Sequence, residues 1–209
     1  MQIFDKNTAI KTASELLKIQ AVKLSPENPF TWASGIKSPI YCDNRKLLSF
    51  PQTRNFIKNS LAELVKSQFP DVQVIAGVAT GAIAAGVLVA DILNLPFVYI
   101  RAEAKKHGLG NRIEGLLESG KKVVIIEDLI STGGSSLTAF EAVREQGNPV
   151  LGMCAIFTYG LPVAKENFAK ADCNLSVLTD FETLTEYALS EKIISNESID
   201  ILKNWQKTF

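Results

Sequence analysis

The chain has 209 residues, 46% hydrophobic and 21% charged, with 22 basic and 22 acidic side chains and a formal net charge of zero. That length suits one domain with a full core, and the composition excludes a disordered or fibrous chain. The charge balance supplies no global field to attract nucleic acid or an anionic membrane. Apolar runs are interrupted before a membrane-spanning length, and residues 1–6 lack the basic and apolar regions of a secretory signal. The three cysteines, Cys42, Cys154 and Cys173, form no CxxC or Cys/His metal pattern. Such usage fits reduced thiols in a cytoplasmic protein.

Ile10, Ala13, Leu16, Leu17 and Val22 follow helical spacing, which predicts an amphipathic helix over residues 5–24, capped by Asn7 or Thr8. Alternation at 30–32 and 40–42, punctuated by Gly35 and Pro39, predicts two short antiparallel strands. A hairpin there covers one end of the core and could also close over a ligand. A helix follows from Phe50-Pro51 to about Phe69-Pro70. Residues 72–78 read as a buried strand, Ala79-Thr80-Gly81 as a sharp turn, and 82–93 as a helix. That helix is apolar nearly all round, which predicts burial deep against a sheet.

A second strand spans 96–101. The connection from Ala102 to Lys121 is long and glycine-rich, with a short hairpin expected around Leu109, Ile113, Leu116 and Leu117. Such a length inside a compact domain marks a disordered segment or a functional lid. The strand at 123–126 is followed by a small-residue turn and a helix ending near Gly147. Strands at 149–157 and 174–178 and helices at 181–189 and 197–205 close the chain. Strand–helix–strand alternation over 72–157 implies an α/β fold, a parallel twisted sheet with helices on both faces. Ligands in such sheets bind outside the carboxyl ends of the strands.

Three constellations fall at that edge. Val123, Val124, Ile125 and Ile126 run into Glu127 and Asp128, then Leu129, Ile130, Ser131, Thr132, Gly133, Gly134 and Ser135. A hydroxyl- and glycine-rich loop before a helix suits a phosphate monoester, although a capped helix start has the same pattern. No lysine follows the glycines and GxGxxG is absent, so neither the Walker loop nor the dinucleotide fingerprint is present. Adjacent carboxylates at a buried strand end are costly to desolvate. They suit vicinal ribose hydroxyls, directly or through Mg²⁺ and water. Neighbours on a strand point to opposite faces, so both reach one ligand only if the strand has begun to turn. The second constellation is Arg101, Lys105, Lys106 and His107 beside Gly108. It is either a solvated charged loop or a mobile anion clamp that places cations where leaving-group charge develops. The third is the turn at Ala79-Thr80-Gly81, a tight strand-to-helix connection that could also offer N–H groups to a phosphate.

Together these segments resemble a known family. Residues 125–135 are similar to the phosphoribosyl pyrophosphate (PRPP) motif of type I phosphoribosyltransferases. Arg101 to Gly108 resembles the mobile loop, and Phe30-Thr31-Trp32-Ala33-Ser34-Gly35-Ile36-Lys37-Ser38-Pro39-Ile40-Tyr41 the N-terminal hood, of the orotate-using members. The resemblance implies one phosphoribosyltransferase domain: a hood at about 1–45, a core at about 50–180 and C-terminal helices at 181–209. It implies transfer of the phosphoribosyl group of PRPP to orotate, with Mg²⁺, giving orotidine 5′-monophosphate and pyrophosphate in pyrimidine synthesis. It further implies a homodimer whose mobile loop reaches the neighbour's site. Lys105, His107 and Asp128 would be catalytic. Arg101, Lys105, His107 and residues Glu127 to Ser135, including Leu129 and Ile130, would bind PRPP. Ser131 and Lys37 would bind orotate, and Mg²⁺ would be held mainly by PRPP and water. Some members carry lysines where Ala33, Ala102 and the 79–81 turn stand here, so the partner of the orotate carboxylate is open among Lys37 and hood N–H groups. Two other activities fit the same cradle: transfer to a purine base, and PRPP sensing without turnover.

Overall fold

The computed structural model describes residues 1–31, 35–102 and 112–208. A short strand β1 (Gln2–Ile3) leads into helix α1 (Lys6–Lys18). The helix is capped by Asp5, whose carboxylate accepts from the N–H groups of Asn7 and Thr8. Asn7 and Thr8 are therefore capped residues and not caps. The helix also stops earlier than its apolar spacing predicts. Gln20 turns the chain with φ +55, and Val22 belongs to strand β2 (Val22–Leu24).

The hood is two separate ribbons and not one hairpin. Strand β3 (Phe30–Thr31) pairs antiparallel with β4 (Lys37–Ser38), whereas β5 (Ile40–Cys42) pairs with β2. A 3-10 turn at Asn44–Ser49 then delivers the chain to α2 (Pro51–Gln68).

Next come β6 (Val74–Val78), α3 (Ile83–Leu93), β7 (Phe97–Ile100), β8 (Ile113–Glu114), β9 (Val123–Ile130) and α4 (Gly134–Glu145). They are followed by β10 (Val150–Thr158), α5 (Pro162–Lys170), β11 (Leu175–Asp180), α6 (Phe181–Ser190) and α7 (Asn196–Gln206). Sequence patterning omitted β1, β2 and α5. Leu161-Pro162 is the overlooked signal, because proline is pre-organised for the first turn of a helix.

The central sheet has the order β1-β11-β10-β9-β6-β7-β8, parallel throughout except for the final β7–β8 pair. Helices lie on both faces, as the alternation predicted. Strands β6 and β9 are buried along their apolar runs, which is why those segments read as continuous hydrophobic stretches. From β6 the chain crosses to β7 on one side. The next central strand, β9, lies on the other side of β6 and continues outward to β10 and β11. The direction of winding therefore reverses between β6 and β9, which opens a crevice at their carboxyl ends.

Helix α3 differs from its prediction. Only Gly86, Val89 and Ala90 are fully buried on it, while Val87 and Ile92 are exposed. One stripe faces the sheet, and Val87 and Ile92 on its other side are exposed among the described residues.

Candidate active site

The crevice between β6 and β9 is a cavity of about 510 Å³. The turn after β6 (Val78 to Gly81), the end of β9 and the start of α4 (Glu127 to Ser136), and Cys42 to Arg45 from the hood side line it. Ile130 is the one lining gap in the β9 segment. Its side chain is fully buried, and its carbonyl accepts from the Tyr159 N–H at 3.1 Å.

Strand β9 continues to Ile130, so Glu127 and Asp128 lie on regular strand and diverge. Glu127 is buried. Its Oε2 accepts from the Ser136 hydroxyl at 2.8 Å, and its Oε1 from the Asp128 N–H at 3.0 Å. Asp128 points the other way, against Gly81, where an added Cβ would overlap the carboxylate. Its carbonyl accepts from the Asn44 amide at 2.6 Å. Both carboxylates still reach the cavity, which lies across the strand end. No early turn of the strand is needed.

Burial raises the Glu127 carboxyl well above the ordinary glutamate range, and the Asp128 charge adds to that. Burial also raises Asp128, opposed by its hydrogen bonding to Glu127 and by the nearby Arg45 charge. Arg45 itself is clamped by Asp43 through contacts of 2.7 and 3.1 Å, and that hydrogen bonding lowers the Asp43 carboxyl. The pair at Glu127 and Asp128 is therefore poised to gain hydrogen-bond donors or a cation.

The loop after β9 is shaped by long-range contacts. Gly133 has φ +83, and an added Cβ would lie 2.7 Å from the Phe168 ring of α5. Glycine is thus required there both by conformation and by space. Asn167, also on α5, donates to the Thr132 carbonyl at 3.0 Å.

Helix starts separate into classes. Side chains of Asp5, Asp180 and Ser195 cap α1, α6 and α7, and prolines begin α2 and α5. Helix α4, whose first residues line the cavity, and α3, which begins just past the lining turn at Gly81, have neither a side-chain cap nor a proline. Their first-turn N–H groups have no intrahelical acceptor and face the positive end of the helix dipole. That is the chemistry of an anion site. The Ala79–Thr80 peptide on this rim is cis.

Other predicted site residues lie away from the cavity lining. The Arg101 guanidinium is 3.3 Å from the Glu114 carboxylate, across the β7–β8 pair. Lys37, on β4, donates to the Thr31 hydroxyl at 2.7 Å. Lys105 and His107 fall outside the described residues, as do Lys106, Trp32, Ala33 and Ser34. Sequence patterning missed Asp43, Asn44, Arg45, Asn167 and Phe168. A signal existed for the first three, an Asp-Asn-Arg run directly after a short strand.

Among the described residues, no cluster of three or more His, Cys, Asp or Glu side chains could cage a metal. The carboxylates of Glu127 and Asp128 nevertheless suit Mg²⁺, which keeps several waters and takes substrate oxygens besides one or two protein carboxylates.

Comparison with known proteins decides the family. The phosphoribosyl transferase domain family model matches residues 52–181. An orotate phosphoribosyltransferase of Porphyromonas gingivalis is 57% identical over 196 residues, covering 94% of this chain and 93% of the relative. The chain belongs to the orotate phosphoribosyltransferase family. A Listeria monocytogenes member of that family is 53% identical over 197 residues, 94% of each chain. The crystal structure of orotate phosphoribosyltransferase from Aeropyrum pernix superposes with a TM-score of 0.74 at 29% identity, over 83% of this chain and 96% of that one. The family model matches residues 52–181, and the curated relative's match extends over 94% of this chain.

Proposed function

We propose that the protein transfers the phosphoribosyl group of PRPP to orotate, forming orotidine 5′-monophosphate and pyrophosphate in pyrimidine biosynthesis. The observation that carries this reading is the meeting of a buried and a half-buried carboxylate with the uncapped start of α4 and the turn before α3 in one cavity of a family member. A sugar phosphate needs that combination: acceptors for ribose hydroxyls, and donors for phosphate oxygens.

In this reading Glu127 and Asp128 accept hydrogen bonds from the ribose 2′- and 3′-hydroxyls. The loop Ser131 to Ser135 and the first turn of α4 donate to the 5′-phosphate. Ser131 also borders the base, and the turn at 79–81 faces the pyrophosphate. As the bond from the anomeric carbon to pyrophosphate breaks, positive charge builds on the ribose and negative charge on the leaving group. Orotate nitrogen then bonds to the anomeric carbon, and pyrophosphate departs with the bonding pair. Lys105 and His107 offset the charge on the leaving group, as preorganised cations do most effectively in a dry site. Arg101, at the base of their loop, contributes to the same field. Mg²⁺ would be held by PRPP oxygens and water beside Glu127 and Asp128, neutralising pyrophosphate charge. Lys37 and hood N–H groups are the assigned partners of the orotate carboxylate. Catalytic roles belong to Lys105, His107 and Asp128.

A homodimer is part of the proposal. Leu48 and Phe50, on the 3-10 turn and the cap that lead into α2, and Val87 and Ile92 on α3 expose apolar surface, the kind of patch that association covers. A cytoplasmic setting agrees with three free cysteines, all buried. Among the described residues no helix is long and apolar enough to cross a membrane.

The test is to incubate the protein with PRPP, Mg²⁺ and either orotate or adenine, and to measure pyrophosphate. Release with orotate alone is expected. Release with adenine alone would overturn the substrate assignment, and tight PRPP binding without turnover of either base would point to a sensor.

A further inference from the structure

The C-terminal helix makes contacts that the reaction chemistry does not require. Trp205, on α7, donates its indole N–H to the Lys37 carbonyl at 3.1 Å, across 168 positions of sequence. Its ring packs edge-on against Tyr159 at 5.8 Å and tilted against Phe181 at 6.1 Å. The next residue, Gln206, donates to the Tyr159 carbonyl at 2.7 Å.

These contacts join two parts of the site. Lys37 belongs to the β3–β4 ribbon, in which, among the described residues, Phe30 lies opposite Ser38 and Thr31 opposite Lys37. A two-stranded ribbon of that size is not stable alone in water. It must be docked to hold a geometry. Tyr159, 2% exposed, follows β10, and its N–H donates to the carbonyl of Ile130, the residue before Ser131. Thr158 strengthens the join, with its hydroxyl 3.3 Å from the same carbonyl. Trp205 therefore bridges the hood ribbon on one side and the root of the phosphate loop on the other.

We infer that Trp205 is a positioning residue for the base substrate. Its N–H and ring set the hood ribbon's distance from the sugar-phosphate cradle, and so the height of the slot in which the base lies. The inference rests on the functional reading above, in which the hood carries the base and the cradle carries PRPP. A loosened hood weakens the base site, whereas the cradle keeps its own anchors in α4 and α5.

Trp205→Phe tests this, because it keeps an aromatic ring and removes the N–H. One net hydrogen bond corresponds to roughly a 2- to 10-fold effect on an equilibrium. The KM for orotate should rise by about that factor, with the KM for PRPP within about twofold and the melting temperature close to that of the unaltered protein. Amide hydrogen exchange should quicken at Phe30, Thr31, Lys37 and Ser38 and stay unchanged in 74–78. Trp205→Leu, lacking the ring as well, should extend both effects. A parallel rise in both KM values, or an unchanged KM for orotate with unchanged exchange at Phe30, Thr31, Lys37 and Ser38, would overturn the inference. The functional reading is judged separately, by pyrophosphate release from the unaltered protein with orotate. The exchange comparison tests the docking role whichever base is used.

Discussion

Gly133→Ala separates the cradle's conformational demand from its packing demand. The φ of +83 places alanine in a region that costs an L-residue about 1–2 kcal/mol. Separately, the new methyl lies 2.7 Å from Phe168 Cε2 and 3.2 Å from Cδ2. Phe168 is 2% exposed and cannot swing into solvent without opening the core. Overpacking of that kind costs about 1–3 kcal/mol, for a sum of about 2–5 kcal/mol. In a chain of this size each kcal/mol lowers Tm by about 2–4 °C, so a drop of about 4–20 °C is expected. Differential scanning fluorimetry reads it directly. Gly134→Ala is the internal control, because its added Cβ meets only Thr132 Oγ1 at 4.0 Å and its φ is ordinary. It should unfold near the unaltered protein. Phe168→Leu in the Gly133→Ala background should recover part of the packing cost and none of the conformational cost. The KM for PRPP should rise in Gly133→Ala, since the loop that meets the 5′-phosphate must shift. Equal Tm and equal KM for the two glycine variants would refute the reasoning.

Further outcomes follow from the same geometry. Gly81→Ala should raise the KM for PRPP several-fold with little change in Tm, because the added methyl displaces the Asp128 carboxylate on the cavity rim; an unchanged KM would show that Asp128 does not meet the sugar. Glu127 ionises less readily folded than unfolded, so its contribution to stability is present below its ordinary value of 4.5 and lost as pH rises through the raised folded value. Urea unfolding at pH 5 and pH 8 should therefore show Glu127→Gln gaining on the unaltered protein toward pH 8, and parallel profiles would count against the upward shift of the Glu127 carboxyl. Lys105→Ala should lower kcat by roughly 10²-fold or more if its charge faces the departing pyrophosphate; unchanged turnover in stopped-flow or steady-state assays would remove it from the mechanism. Chelation of divalent ions with EDTA should abolish pyrophosphate release and Mg²⁺ should restore it, whereas full activity in EDTA would dismiss the metal.

The candidate site was legible wherever local pattern and chemistry coincide. The β-branched run at Val123 to Ile126 must be strand because it is apolar on both faces. Carboxylates at its end must face a polar guest because burial makes them costly otherwise. A loop of serine, threonine and glycine before a helix must present N–H groups. Helical spacing likewise marked α1, α2, α4, α6 and α7, with boundaries shifted by a few residues where Asp5 outcompeted its neighbours as a cap and Gln20 ended α1.

Tertiary structure decided what depends on residues distant in sequence. Local alternation cannot tell which strands pair, so one expected hairpin became two ribbons, with Val22 drawn out of α1 to meet Cys42. Nothing near Gly133 announces Phe168, and nothing near Gly81 announces Asp128, because these contacts exist only once β6, β9 and α5 are assembled. The apolar surround of α3 was read as depth, yet a sheet covers only one side of a helix and Val87 and Ile92 remain outside. The sequence alone singled out the run from Glu127 to Ser135 as the proposed sugar-phosphate cradle. Only the fold decided that its two carboxylates diverge from a regular strand, that glycines give them and the phosphate loop room, and that Trp205 ties the hood to both. Periodicity reports which face of an element is apolar, whereas the partner on that face is chosen by the packing of the whole chain.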